Sequence, residues 1–315
     1  MIDQPLITLF SAPKPFTHPH IATIQRNAIR SWTMLGKAVE VVLLGDEEGM
    51  AEAARELGVR HIANVKRNEL GTPLISSLFD TARSLNQSPL LAYVNADILL
   101  LPDFLTAARA MLSQAPEFLM VGQRWDMEIT HLLEFEEGWS SRLREECLAT
   151  GRLHKPMGSD YFVYPRACFE QIPDFAIGRA GWDNWMVYEA RHRGWKTVDA
   201  TGDVMIIHQA HDYSHLPNGQ PHYRLPETGE NVRLAGGKRH IFLLSEANWE
   251  MKDGQVKRKP ITWKRFWREV EIFPAVHTRS TALANLFYGV FHPYKAYNEL
   301  RKSQKAKSTG EETFN

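Results

Sequence analysis

Between residues 5 and 123 short apolar runs alternate with helical patterns, and this alternation constrains the fold more than any other feature of the chain. Residues 5–10 read as a first strand. Residues 21–35 place Ile21, Ile24, Ala28, Ile29 and Trp32 at helical spacing. The β-branched run Val39–Leu44 ends in Gly45-Asp46, Met50–Leu57 reads as a helix closed by Gly58, and residues 59–65 read as a third strand. A loop at 66–73 leads to a helix over 74–85, and residues 90–100 hold the fourth strand. Pro102 stands where the first turn of a helix tolerates proline, opening a helix over 103–112, and residues 118–123 form a fifth strand. Strands and helices of these lengths assemble as βαβ units. The expected fold is therefore α/β, a Rossmann-like, mostly parallel sheet flanked by helices.

Sheets of this kind bind ligands beyond the carboxyl ends of their strands. Ser11, Asp46, Arg67 and the step Asn95-Ala96-Asp97 all fall at such ends. Neither Gly-x-Gly-x-x-Gly after the first strand nor a Walker motif is present, which argues against ordinary dinucleotide and P-loop sites. With 315 residues, 43% of them apolar, the chain can bury a core without staples, and its two cysteines, Cys147 and Cys168, form no Cys-x-x-Cys pair. No signal-peptide pattern and no apolar run of membrane-spanning length occurs, so the expectation is a soluble cytoplasmic protein.

A net charge of zero hides an asymmetry. Residues 255–315 carry 12 Lys and Arg against five acids, a net +7, which leaves −7 on residues 1–254. The second half of the chain is less regular: a charged helix at 139–148, a short strand at 161–164, a helix at 183–193 closed by Gly194, and a buried strand at 204–208 ending in His208. Residues 209–240, rich in His, Pro, Gly and Asn, read as loop. The division expected is a catalytic domain over 1–240, a basic, aromatic, helical C-terminal extension over 241–303, and a disordered tail over 304–315. The extension's Leu283, Leu286, Phe287, Val290, Phe291, Tyr294 and Tyr297, with Lys295, Arg301 and Lys302 close behind, fit either packing on the body or peripheral contact with the inner face of an anionic membrane. An acidic body with no recognised module speaks against nucleic acid as a partner.

The strongest local signal is Asn95-Ala96-Asp97 inside an apolar run, because a buried carboxylate needs water, a hydrogen-bonding partner or a metal. A hard divalent cation that bridges phosphate oxygens is one such partner; ending the strand and capping the next turn is the plainer role. The second signal is Gly181-Trp182-Asp183-Asn184 opening a helix, with His208 ending the following strand. There an acid can serve chemistry or simply the helix dipole. His208, His211 and His215 invite a zinc reading, but they lack the helical spacing of a metalloprotease.

The order of these features resembles nucleotide-sugar glycosyltransferases of the GT-A fold: Asp46 after the second strand, Arg67-Asn68-Glu69-Leu70-Gly71-Thr72-Pro73 before a helix, the Asp-x-Asp-like Asn95-Ala96-Asp97, the Gly181-Trp182-Asp183-Asn184 helix start and the terminal His208-Gln209. The segment Gly158-Ser159-Asp160-Tyr161 together with His208-Gln209-Ala210-His211-Asp212 is similar to a bacterial subgroup of such enzymes. The resemblance spans about residues 5–215. It implies transfer of a sugar from a nucleotide-diphosphate donor to a glycan or other hydroxyl acceptor, with Mn²⁺ or Mg²⁺. Asp97 would hold the metal on the diphosphate and His208 would complete that site. Ser11, Asp46, Arg67 and Asn95 would contact the nucleotide, Asn95 standing where the family often has an acid. Asp183 would be the catalytic base. In strict register Asn184 takes the base position, so either the register shifts to Asp183 or the enzyme retains configuration. Asp160, Trp182, His211 and Asp212 would line the acceptor pocket. Two other readings stay open, a sugar-phosphate nucleotidyltransferase and a non-catalytic nucleotide-sugar or glycan binder.

Overall fold

A parallel strand whose two faces are both apolar must be covered on both sides, and helices supply that cover here. The computed structural model describes residues 4–211 and 225–309. In chain order the elements are β1 (Ile7–Ser11), α1 (Pro19–Thr33), β2 (Val39–Leu44), α2 (Met50–Leu57), β3 (Arg60–Ile62), α3 (Ile75–Ser84), β4 (Leu90–Val94), β5 (Ile98–Leu100), α4 (Asp103–Gln114) and β6 (Phe118–Val121). There follow β7 (Arg124–Met127), α5 (Trp139–Thr150), β8 (Arg152–Leu153), β9 (Tyr161–Pro165), α6 (Trp182–His192), β10 (Lys196–Asp199) and β11 (Ile206–Gln209). Last come α7 (Pro226–Leu234), β12 (Trp249–Lys252), β13 (Gln255–Arg258), α8 (Trp263–Thr278), α9 (Thr281–Phe291) and α10 (Pro293–Thr309).

Nine strands form the main sheet in the order β13-β12-β10-β6-β9-β4-β1-β2-β3, and only β9 and β13 run antiparallel to their neighbours. Residues alternate between its faces. Ile7, Leu9, Leu90, Ala92 and Val94 pack with α1, α2 and α4 on one side. Phe10, Leu91 and Tyr93 pack with α3, α6 and α8 on the other. The α/β architecture expected from the alternation is the one observed.

Four expectations need correction. Residues 90–100 do not form one strand: β4 ends at Val94 in the main sheet, the chain turns at Asn95–Asp97, and β5 enters a separate four-stranded sheet of order β5-β11-β7-β8. Helix α1 secures the departure, since Trp32 Nε1 donates to the Ile98 carbonyl at 2.8 Å and Ser31 Oγ accepts from Leu100 N at 3.0 Å. The 209–240 region is not all loop, because Pro226 at the first turn starts α7. The boundary at 240 cuts through the main sheet, since β12 pairs in parallel with β10. The tail expected to be disordered from 304 onward is helical through Thr309, and residues 310–315 lie outside the described residues. No helix among the described residues is long and apolar enough to cross a membrane.

Candidate metal and nucleotide site

Strands β2, β1 and β4 are adjacent and parallel, so their carboxyl ends share one edge of the sheet. A buried polar atom without a hydrogen-bond partner stands at each of those ends: Ser11 Oγ, Glu47 Oε2 and Asp97 Oδ1. Orphaned polar atoms are costly and uncommon in a folded interior. Three of the ten such atoms among the described residues lie along this one edge, where a polar ligand could meet them.

Asp97 is the centre of the strongest cluster. His211 Nε2 lies 3.0 Å from its Oδ2, and His208 Nε2 lies 3.8 Å from the same oxygen. The potential ligand atoms of Asp97, His208 and His211 all fall within 4.8 Å of one another. Strand register builds this arrangement. β11 runs between β5 and β7, and places His208 opposite Ile98 on one side and beside Asp126 on the other. Gln209, the next residue, fixes the Asp97 turn by donating from Nε2 to the Asp97 carbonyl and to the Ile24 carbonyl of α1.

His208 Nδ1 lies 3.1 Å from Asp126 Oδ1. Burial lowers the His208 pKa, so at neutral pH the ring is neutral, its one proton belongs on Nδ1 facing Asp126, and the Nε2 lone pair faces Asp97. Carboxylate–histidine pairs of this kind orient imidazoles toward metals. Burial alone would raise the Asp97 carboxyl. The His211 hydrogen bond and the Lys14 charge, joined by that of His208 once its ring is protonated at acid pH, outweigh it and hold Asp97 well below the ordinary carboxylate range. One ionised carboxylate with an unpartnered oxygen and one neutral imidazole lone pair, with His211 beside them, suit a divalent metal.

A chain of charges extends from this cluster. Asp126 also accepts from His154 Nδ1 at 2.6 Å and from Arg124 Nε at 2.9 Å. Arg124 reaches on to Asp160 Oδ1 at 2.9 Å, and Asn95 Nδ2 donates to the same oxygen at 3.0 Å. Lys14, just beyond β1, is held by reciprocal backbone bonds to the Gln25 amide; burial lowers its pKa, and the nearby Asp97 charge partly opposes that shift.

On the other side of the edge, Arg67 forms a short ion pair with Asp46 and bonds Glu47 at 2.9 Å. Its Nη1 donates to the Gly71 carbonyl at 2.8 Å, closing the 67–73 loop. Burial disfavours the Arg67 charge, and Glu47 and then Asp46 more than offset it, so the net shift is upward.

Asp183 begins α6, half-buried, with its Oδ1 accepting weakly from Gly181 N at 3.3 Å. Burial, with a smaller contribution from the Asp160 charge, pushes its carboxyl up to about 6 against the pull of backbone amides. Asn184 is committed elsewhere: its Nδ2 donates to the Met157 and Phe242 carbonyls at 3.0 and 2.7 Å. Tyr93 lies in the same region, and burial together with the charges of Asp97, Asp160 and Asp183 raises its phenol.

Several residues sit differently from their expected places. Trp182 is not an open platform for a sugar, because its ring is buried against Tyr93 at 5.1 Å and Phe162 at 5.3 Å. Asp160 accepts from Arg124 and Asn95 through Oδ1, so Asn95 spends an amide donor on it. His211, expected with the acceptor, stands beside Asp97. Asp212 lies outside the described residues. Lys14, Glu47, Arg124, Asp126 and His154 were not foreseen. The one signal for them in sequence is Arg124-Trp125-Asp126, a charged strand directly after the apolar β6.

No protein-family model matches the chain, and neither does any curated protein. Among solved structures it is similar to a mannosyltransferase from Pyrobaculum calidifontis in complex with GDP-Man and Mn²⁺, at 13% identity and a TM-score of 0.45, over 96% of this chain and 80% of that one. It is similar to glucosyl-3-phosphoglycerate synthase from M. tuberculosis at 14% identity and a TM-score of 0.46, over 82% and 89%. It is also similar to residues 1–349 of S. aureus TarS in complex with UDP-GlcNAc, at 12% and 0.44, over 73% and 65%. At these identities and TM-scores the likenesses assign neither activity nor substrate to this chain.

Proposed function

We propose that the protein is a metal-dependent glycosyltransferase of the GT-A type, moving a sugar from a nucleoside-diphosphate donor to a hydroxyl acceptor. The observation that carries this reading is the Asp97–His208–His211 group at the carboxyl edge of β4, with the unpartnered oxygen of Asp97 at its centre. Two imidazoles beside a single carboxylate suit Mn²⁺ better than Mg²⁺, which favours all-oxygen coordination. When bound, the metal supplies charge neutralisation for the departing diphosphate.

The chain's own groups fill the remaining roles. Lys14 adds a cation beside Asp97 for the phosphates. Ser11 Oγ offers an uncommitted hydroxyl at the neighbouring strand end. Asp46 and Arg67 meet the nucleoside where their ion pair is exposed, and Asp126 fixes the ring of His208. Asp183 takes the proton from the acceptor hydroxyl. A carboxylate shifted up to about 6 is a stronger base than an ordinary one and is still ionised at neutral pH. Asn184, with both amide hydrogens on backbone carbonyls, holds the start of α6 in place.

The test is donor hydrolysis and thermal stabilisation across UDP- and GDP-linked sugars, each with Mn²⁺, with Mg²⁺ and with chelator. Metal-dependent stabilisation and turnover with at least one donor are expected. One carboxylate and two histidines are also the ligand set of non-haem iron oxygenases. In that case metal would stabilise the protein equally with and without every nucleotide sugar, and the glycosyltransferase reading would fall. Stabilisation by a donor with no turnover at all, even with acceptors supplied, would leave a binding protein.

A further inference from the structure

The described acids of the C-terminal helices are all paired with cations. Glu269 pairs with Arg191 at 2.7 Å, Glu271 with Arg268 at 2.8 Å and His292 at 3.2 Å, and Glu299 with Arg239. Lys264, Lys295 and Arg301, in contrast, are exposed and enter no ion pair among the described residues. The acids of this region are thus committed to ion pairs, and three of its exposed cations are not.

Large apolar side chains are exposed on the same three helices. Trp263 is 74% exposed, Val290 72% and Tyr294 77%, and Phe266, Trp267, Leu286 and Tyr297 are exposed with them. They are not scattered. Trp263, Phe266 and Trp267 pack ring against ring at 5.3 to 6.0 Å, and Trp267 continues to Phe291 of α9 at 6.0 Å. On α9, Leu283, Leu286 and Val290 recur at helical spacing on the exposed side, while Ala284 faces the core. An exposed apolar surface this extensive marks a contact with something other than water.

We propose that the outer face of α8, α9 and α10 docks on a bilayer carrying anionic phospholipid. Trp and Tyr side chains favour the headgroup level, where one end of the ring is apolar and the other wet, and lysine and arginine beside them meet lipid phosphates. A second copy of the chain is a poorer occupant. A two-fold contact would use the same patch twice and bring Lys264, Lys295 and Arg301 of both copies together, while the acids of these helices are already paired with Arg191, Arg268 and Arg239. The inference does not depend on the glycosyltransferase reading, because it needs neither donor nor metal.

The experiment is co-sedimentation of the full chain with vesicles of phosphatidylcholine alone and of an equal mixture of phosphatidylcholine and phosphatidylglycerol, at low and high salt. Sedimentation with the mixed vesicles, weakened by salt, and little with phosphatidylcholine alone are expected. Reversing Lys264, Lys295 and Arg301 to Glu should weaken binding by roughly a hundredfold or more, from the attraction each basic residue loses near the surface. Trp263→Ser with Trp267→Ser should leave a weak, wholly salt-sensitive association. Lys264, Lys295 and Arg301 are exposed and enter no ion pair among the described residues, so circular dichroism and melting temperature of the charge-reversed variant should match the wild type; the salt series on the wild type needs no variant. Wild-type protein that stays in the supernatant with both vesicles would overturn the proposal. So would a charge-reversed variant that sediments undiminished, or a dimer in sedimentation velocity that mixed vesicles do not disrupt.

Discussion

Asp97 and Asp46 follow strands of the same direction and stand at the same edge of the sheet, but the Asp97 side chain is 17% exposed and the Asp46 side chain 64%. Around Asp97 the groups are locked by strand register: His208 beside Asp126, Asp126 on Arg124 and His154, Arg124 on Asp160. Around Asp46 a single arginine, shared with Glu47, makes the contact. Buried charges of the first kind are costly to leave unpaired and hold one geometry. Exposed pairs of the second kind exchange readily with water or ligand and add little stability. The edge therefore combines a preorganised end with an exchangeable one, which in the proposed function would take the metal and phosphates and the nucleoside respectively.

The largest effect that would break this contrast is expected at Asp97. Asp97→Ala should abolish the Mn²⁺-dependent stabilisation by donor, which for a ligand at a hundred times its dissociation constant is about 2.7 kcal/mol. Turnover should fall below detection with it. A retained metal-dependent shift in melting temperature would reduce Asp97 to a residue of the β4–β5 turn.

Asp183→Asn should come next. Loss of a general base lowers turnover by about 10²–10⁴-fold. Donor and metal binding should persist, since Asp183 is not one of the Asp97–His208–His211 group. The sign of the stability change is informative. A carboxyl raised to about 6 in the folded state binds its proton more tightly there than when unfolded, so it contributes stability at acid pH that is lost as pH rises through about 6. Removing the charge should leave the melting temperature at neutral pH unchanged or higher. For the wild type, turnover should rise with pH through about 6. A lower melting temperature with a proportionate loss of activity would make Asp183 a helix-start acid and nothing more.

Asp126→Asn probes how the preorganised end is held. Loss of a carboxylate behind a metal-bound histidine typically costs about 10–100-fold in metal affinity. Raised Mn²⁺ concentration should then restore turnover, which would not happen if Asp126 mattered only for folding.

The difference between the two ends also sets what could be read from the chain beforehand. Strand–helix alternation shows in sequence because both faces of β1, β2 and β4 are apolar and each helix keeps its period, so the sheet and the edge placement of Ser11, Asp46 and Asp97 were legible. The break inside 90–100 was not, because Ile98, Leu99 and Leu100 are as buried as Leu90–Val94, only in another sheet. Asp126 and His154 were missed for a related reason. Asp126 meets His208 by lateral register, across 82 residues of chain, and no local spacing encodes that. Trp182 was assigned to an acceptor surface because an aromatic next to an acid suits sugars equally well; only packing against Tyr93 and Phe162 decides its side.

The smallest effect is expected at the exchangeable end, and there the two partners of Arg67 are unequal. Asp46→Ala removes an exposed contact while Glu47 and the Gly71 carbonyl still hold the guanidinium, so stability should change by no more than about 1 kcal/mol, under about 2 °C in melting temperature. If Asp46 meets the nucleoside, the donor KM should rise several-fold with kcat unchanged, the signature of a lost contact that ground and transition states share. Arg67→Ala should cost more stability than Asp46→Ala, because it strands Glu47, whose Oε2 is already buried without a partner. Equal melting temperatures for the two variants would mean that the Glu47 carboxylate reaches solvent, and that this end of the edge is looser than the pairing implies. A kcat loss at Asp46→Ala as large as that at Asp97→Ala would erase the contrast between the two ends.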